Sequence, residues 1–123
     1  GAFQNIILCN TIDFVFPGHK EFLYQILSAI NLSPEQNCLI FDLPDHAHAS
    51  IRQLPSDREF HILSFGLKPQ QLELQGFELM HEHYKIRHCN LLFAMPLGDY
   101  VNNKTAKGQL WSALKEWIVP KSQ

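Results

Sequence analysis

Four short stretches of this chain are apolar without strict alternation, and they constrain its fold more than any other feature. They are FQNIILC at 3–9, NCLIFDL at 37–43, EFHILSFG at 59–66 and the LLFAM end of YKIRHCNLLFAM at 84–95. Each has the length of a strand, and the first is rich enough in apolar side chains to be buried on both faces. A strand buried on both faces needs cover on both, and crossover helices supply it. Between the first two runs Phe22, Leu23, Ile26, Leu27 and Ile30 recur at helical spacing, which predicts a helix over 18–31. Strand, helix and strand in about 40 residues is the size of a βαβ unit. The expectation is an α/β fold: one three-layer domain spanning 1–123, with a mostly parallel sheet of about four strands flanked by helices.

Punctuation divides the rest. Pro17-Gly18 closes the loop after the first strand. In LSPEQ, at 32–36, Ser33 reads as the cap of a short turn, with Pro34 at its first position. The segments 44–58 and 67–83 read mostly as connections, with a turn near 50–54, and Asn90 is expected to turn the chain before the LLFAM run. Asp99 is expected to cap a short turn through Tyr100 and Val101. In TAKGQLWSALKEWIV, Thr105 is the expected cap, and Leu110, Trp111, Leu114, Trp117 and Ile118 form one stripe of a last helix that Pro120 stops. There is no internal repeat and no low-complexity tract.

Composition narrows the function. Apolar residues make up 46 %, enough for one core, and the formal net charge is −2 with no block of Lys or Arg. A direct nucleic-acid binder is therefore not expected. No run approaches the roughly 20 apolar residues that span a bilayer, and no signal peptide is evident. Cys9, Cys38 and Cys89 are an odd, widely spaced set, which reads as free thiols in a reducing compartment such as the cytoplasm.

The chemistry-bearing residues cluster in two places, DHAH at 45–48 and HEHYKIRHCN at 81–90. A zinc site needs its ligands within about 2.3 Å of one ion. On one strand His81 and His83 point one way and His88 the other, and HEH lacks the spacing of HExxH. Surface histidines are the expectation, with no metal and no cofactor. No GxGxxG, GxxxxGK[ST] or GxSxG motif is present. The alternative is a small metal-dependent or acid–base hydrolase using Asp42, Asp45, His46 and His48 at a strand end, with His81 and His83.

The C-terminal block LLFAMPLGDYVNNKTAKGQLWSALKEW resembles the end of the psi subunit family of bacterial DNA polymerase III. The resemblance lies in an apolar strand end at 91–95, a short helix or turn at 97–103, and a last helix at 107–117 centred on Leu110-Trp111. NIILCN at 5–10 is similar to the family's first strand, and LSPEQ to its segment before strand two. The resemblance implies a Rossmann-like or uracil-DNA-glycosylase-like fold without the glycosylase chemistry. Asp13 here lacks the Gly and Pro neighbours of the water-activating motif, and no HPS loop occurs. It also implies a non-enzymatic subunit that binds a chi-like partner, and through a flexible N-terminal peptide the clamp loader. The residues at hand open almost at the first strand, so that peptide is the part of the resemblance they do not carry.

Both lines of reading lead to a cytoplasmic protein-binding accessory subunit, not an enzyme, that buries apolar surface against its partner. The residues expected to make contact are Phe14 and Phe16, in the loop FVFPG, and Tyr100 and Trp111 near the C-terminal helix. The other outcome for the two phenylalanines is that they fold back over the sheet. A homodimer burying the same patch is the third reading.

Overall fold

The computed structural model describes residues 3–32, 38–54, 59–74 and 81–118. Strands β1 (Phe3–Asn10), β2 (Cys38–Leu43), β3 (Glu59–Phe65), β4 (His83–Ile86) and β5 (Cys89–Ala94) form one sheet in the order β2-β1-β3-β5-β4. β1 pairs in parallel with β2 and with β3, and β3 with β5. Only β4 runs antiparallel, against β5. The helices are α1 (Pro17–Ala29), α2 (Gly98–Val101) and α3 (Lys104–Ile118). The expected three-layer α/β domain is thus present, with a mixed, mostly parallel sheet of five strands.

The fifth strand corrects one detail of the sequence reading. YKIRHCNLLFAM holds most of two strands, joined as a hairpin. Arg87 takes a left-handed φ of 53° at the turn, and Ile86 pairs with Cys89. The turn therefore falls at Arg87–His88 and not at Asn90, which lies within β5. Nothing in RH is a strong turn signal, so the pattern of a single run masked it. The segment at 33–37, with the expected Ser33 cap, lies outside the described residues.

The two faces of the sheet are covered differently. Ile7, Cys9, Leu63, Phe65 and Leu92 point to one face, where Leu23 and Leu27 of α1, Tyr100 of α2, and Leu110 and Leu114 of α3 close over them. Ile6, Leu8, Ile62, Leu91 and Phe93 point to the other, where Ile51, Leu67, Leu72 and Leu74 supply the cover. Those last four sit on or beside two short 3-10 turns, Ile51–Gln53 and Pro69–Leu72. All three described α-helices lie on the first face.

Two caps differ from the sequence reading. The Asn103 side chain, not that of Thr105, accepts the Ala106 N–H at 3.0 Å and starts α3. At α2 the Leu97 N–H, just ahead of the helix, is taken by Asp13 Oδ2 at 3.1 Å, while Asp99 sits in the first turn. Asp13 is 84 positions away, beyond the reach of any local pattern.

Candidate functional site

In a sheet of this order the chain crosses to one side of β1 after the first strand and to the other side after β3. The carboxyl ends of β1 and β3 therefore flank the crevice where α/β proteins usually hold ligands. Here polar side chains at that end are spent on each other. Asn10 donates from Nδ2 to Asp45 Oδ1 (2.6 Å) and accepts the Ile12 N–H (3.1 Å). Thr11 donates to Asp42 Oδ2 at 2.7 Å. Gln71, which is buried, donates from Nε2 to the carbonyls of Pro44 (3.0 Å) and Ala47 (3.1 Å), and its Oε1 accepts the Lys68 N–H (3.1 Å). Its own carbonyl accepts from Ala49 N–H at 2.7 Å. These bonds tie the segment after β2 to the end of β1 and to the turn after β3, so Asp42 and Asp45 act here as clasps.

Asp13 is the buried carboxylate of this end. Burial pushes its pKa up, opposed by the N–H groups of Leu97 and Gly98 and by the nearby His19. His19 donates from Nδ1 to the Asp13 carbonyl (3.1 Å), since a carbonyl can only accept. Its ring lies so close to Gly98 that a Cβ there would come within 2.8 Å of Cε1. Gly66, at φ +71°, lets the end of β3 approach Pro96 to a distance no side chain would permit without a shift (3.1 Å from a Cβ to Pro96 Cα). Asp13, His19, Gly66 and Gly98 thus pack the connections after β1, β3 and β5 together. Cys9 beside them has a thiol pKa pushed far up by burial and then by Asp13 and Asp42, the opposite of an activated nucleophile.

The two histidine clusters are not brought together. His46 and His48 are exposed on the segment after β2, while His81 precedes β4 and His83 is its first residue. β2 and β4 are the two outer strands, about 19 Å apart at the usual interstrand spacing. His83 donates from Nε2 to the Ala113 carbonyl of α3 at 2.9 Å. His81 Nε2 lies 2.6 Å from the Tyr100 hydroxyl, which also accepts the Met95 N–H at 2.8 Å. Tyr100 has one proton to give, so donation to a neutral His81 satisfies both groups, and burial lowers the His81 pKa in the same sense. Among the described residues no group of three or more His, Cys, Asp or Glu is placed to hold a metal ion.

Of the four residues expected to meet a partner, the structure exposes two. Phe16 is 55 % exposed, with its ring 5.0 Å from that of His19. Trp111 is 40 % exposed. Phe14 folds back against the helix-face core, with Lys20 Nζ 5.4 Å from its ring centre. Tyr100 is corrected: it is fully buried and its hydroxyl pKa is pushed up to about 12, so it holds α2 to the sheet and has no surface to offer. The side chain of Trp117 lies outside the described residues.

Trp111 belongs to a groove of about 220 Å³ between α1 and α3, with Phe22, Ile26, Leu110 and Leu114 as floor. Lys107 stands at its rim, 5.6 Å from the Phe22 ring centre. Sequence reasoning missed two other groups of apolar exposure. Ile12 and Val15 extend the Phe16 surface, and Leu39 and Phe41 stand out from β2. The FVFPG loop pointed toward the first group. Nothing local marked the second, because NCLIFDL reads the same in a central strand as at an edge.

No family model matches the chain, and neither a curated protein nor a solved structure matches it. Among the described residues no helix is long and apolar enough to cross a membrane.

Proposed function

We propose that the chain is a non-catalytic, protein-binding accessory subunit of the cytoplasm, of the kind its resemblance to the polymerase III psi subunit implies, with a chi-like protein as its partner. One observation carries the reading: the groove between α1 and α3, where a half-exposed Trp111 sits over an apolar floor with Lys107 as the one described cation in its lining. An aromatic anchor in a small apolar groove with charge kept to the edge is how protein interfaces concentrate binding energy. Phe16, Val15 and Ile12 add exposed apolar area on and just after the 3-10 turn Thr11–Val15 that follows β1. Two further features agree with it. The polar groups at the strand ends are engaged with one another. The three cysteines are buried free thiols, as a reducing compartment permits.

The test is affinity capture with the full chain from its own cells, beside the variant Trp111→Glu. The wild-type chain should recover a replication protein, and the variant should lose it by roughly tenfold or more, the usual weight of a central aromatic contact. Equal recovery by the variant would remove the groove from the interface. A wild-type capture with no replication protein would remove the psi-like assignment.

A further inference from the structure

The outer edge of β2 is built differently from an edge that is meant to stay free. Sheet edges are ordinarily blunted by lysines, prolines, bulges or a covering element. β2 contains no Lys and no Pro, and its register with β1 runs unbroken from Asn5↔Cys38 to Asn10↔Leu43. In the described sheet it is the first strand, so its other side has no strand partner. By period-two alternation Leu39 and Phe41 project to the turn-covered face, and they are 42 % and 51 % exposed.

The surface beside them is also open. A groove of about 310 Å³ lies there, floored by Ile6, Leu8 and Ile62 and walled by Phe41, Ile51 and Leu54. In a doubly wound fold the crossover from β2 to β3 would lay a helix over these side chains. Among its described residues this crossover makes only the 3-10 turn Ile51–Gln53. The carboxyl end of the edge carries two exposed carboxylates, Asp42 and Asp45, each held by a neutral donor, Thr11 and Asn10 respectively. No described cation lines the groove.

We propose that this edge receives an extended segment of another protein. That segment continues the sheet beyond β2, places aliphatic side chains at alternate positions into the groove, and sets a lysine or arginine against Asp42 and Asp45. Backbone pairing supplies affinity and the alternate side chains supply specificity, as in strand addition generally. Charge selects this occupant over a second copy of the chain. In a twofold antiparallel pairing about Ile40, Phe41 or the bond between them, Asp42 comes opposite Cys38, Leu39 or Ile40. Two carboxylates would then sit at the seam with no cation between them. The inference goes beyond the α1–α3 groove and is tested apart from it, since Trp111→Glu leaves β2 untouched.

The experiment uses the full isotope-labelled chain and two soluble synthetic peptides. One alternates valine with threonine and carries two lysines near one end. Its twin has glutamate in place of lysine. The lysine peptide should slow amide exchange across 39–43 and bind roughly fivefold or more tightly than its twin, the scale of cross-strand ion pairs. Asp42→Asn combined with Asp45→Asn keeps the oxygens that Thr11 and Asn10 bond, and should bring that ratio close to one. Phe41→Ser should weaken both peptides alike. Equal affinity for the two peptides, protection elsewhere, or no binding at millimolar peptide overturns the proposal. So does protection of 39–43 that rises with protein concentration when no peptide is present, which would make the occupant a second copy.

Discussion

The two faces of the sheet start from equally apolar strands and end with unequal cover. On one face α1, α2 and α3 lay continuous ridges over Ile7, Leu63, Phe65 and Leu92. On the other, two 3-10 turns touch the sheet through Ile51, Leu67, Leu72 and Leu74, and a groove remains beside Phe41. An α-helix repeats an apolar contact every turn, whereas a short 3-10 turn supplies only one or two before the chain must leave. The turn-covered face compensates with polar clasps. Gln71 by itself gathers two loop carbonyls and one loop amide.

Neighbouring residues of β3 test this contrast directly, since Ile62 and Leu63 are both buried but point to opposite faces. Leu63→Ala should cost about 3–5 kcal/mol, as for a large-to-small change in a closed core. Ile62→Ala lines the open groove, where solvent and neighbours can fill the space, and should cost about 1–2 kcal/mol less by the same relation. Equal losses in denaturant melts would mean that the turns seal their face as well as the helices do.

Next in size is Gln71→Ala. It strips a buried amide of its bonds and leaves two carbonyls and an N–H short of a partner, for a loss of roughly 1–3 kcal/mol. The loss should be local: amide exchange should quicken at Ala47 and Ala49 while Leu23 and Leu27 of α1 keep their protection. Quickened exchange throughout would show the two faces to be one cooperative unit.

Asp13 gives a smaller, pH-dependent effect. Its folded pKa is raised by burial, so the folded state binds the proton more tightly than the unfolded chain does. Its contribution is therefore fully present below the ordinary carboxyl range and is lost as pH rises through the raised value. Asp13→Asn removes this slope while keeping an oxygen for the Leu97 N–H, so the variant should gain on the wild type as pH rises above about 4. A stability difference independent of pH between the two would contradict the raised value. Asp13→Ala should cost about 1 kcal/mol by loss of the bond at the start of α2.

The smallest expected change is Phe41→Ser. A half-exposed ring at a sheet edge contributes little to folding, so thermal or denaturant stability should move by within about 0.5 kcal/mol. A large loss would mean that Phe41 belongs to the core of the turn-covered face and not to its surface.

The reading of particular elements shows where local pattern ends. α1 and α3 were legible because apolar residues at 3.6 spacing announce both the helix and its buried side: Leu23, Ile26, Leu27, Leu110 and Leu114 all reached the core. The hairpin at Arg87 was not, since its turn carries no Gly, Asn or Asp and the residues on both sides look like one strand. Trp111 and Phe16 were legible as apolar groups in places where full burial is hard. Tyr100 was not, because the groups around its ring, Phe22 of α1, Phe65 of β3 and His81 before β4, come from segments far from it in sequence.

By itself the sequence determined the class of fold, the existence of its main strands and helices, and which side of each helix faces inward. These follow from the period of the apolar side chains, which any folded state must satisfy to remove them from water. Only the tertiary structure decided the order of strands, and with it which strand became an edge. It alone placed DHAH and HEH at opposite margins, set Asp13 beneath α2, and left Phe41 in the open. Those outcomes depend on contacts between segments tens of residues apart, and a local pattern holds no record of which neighbour a strand will choose.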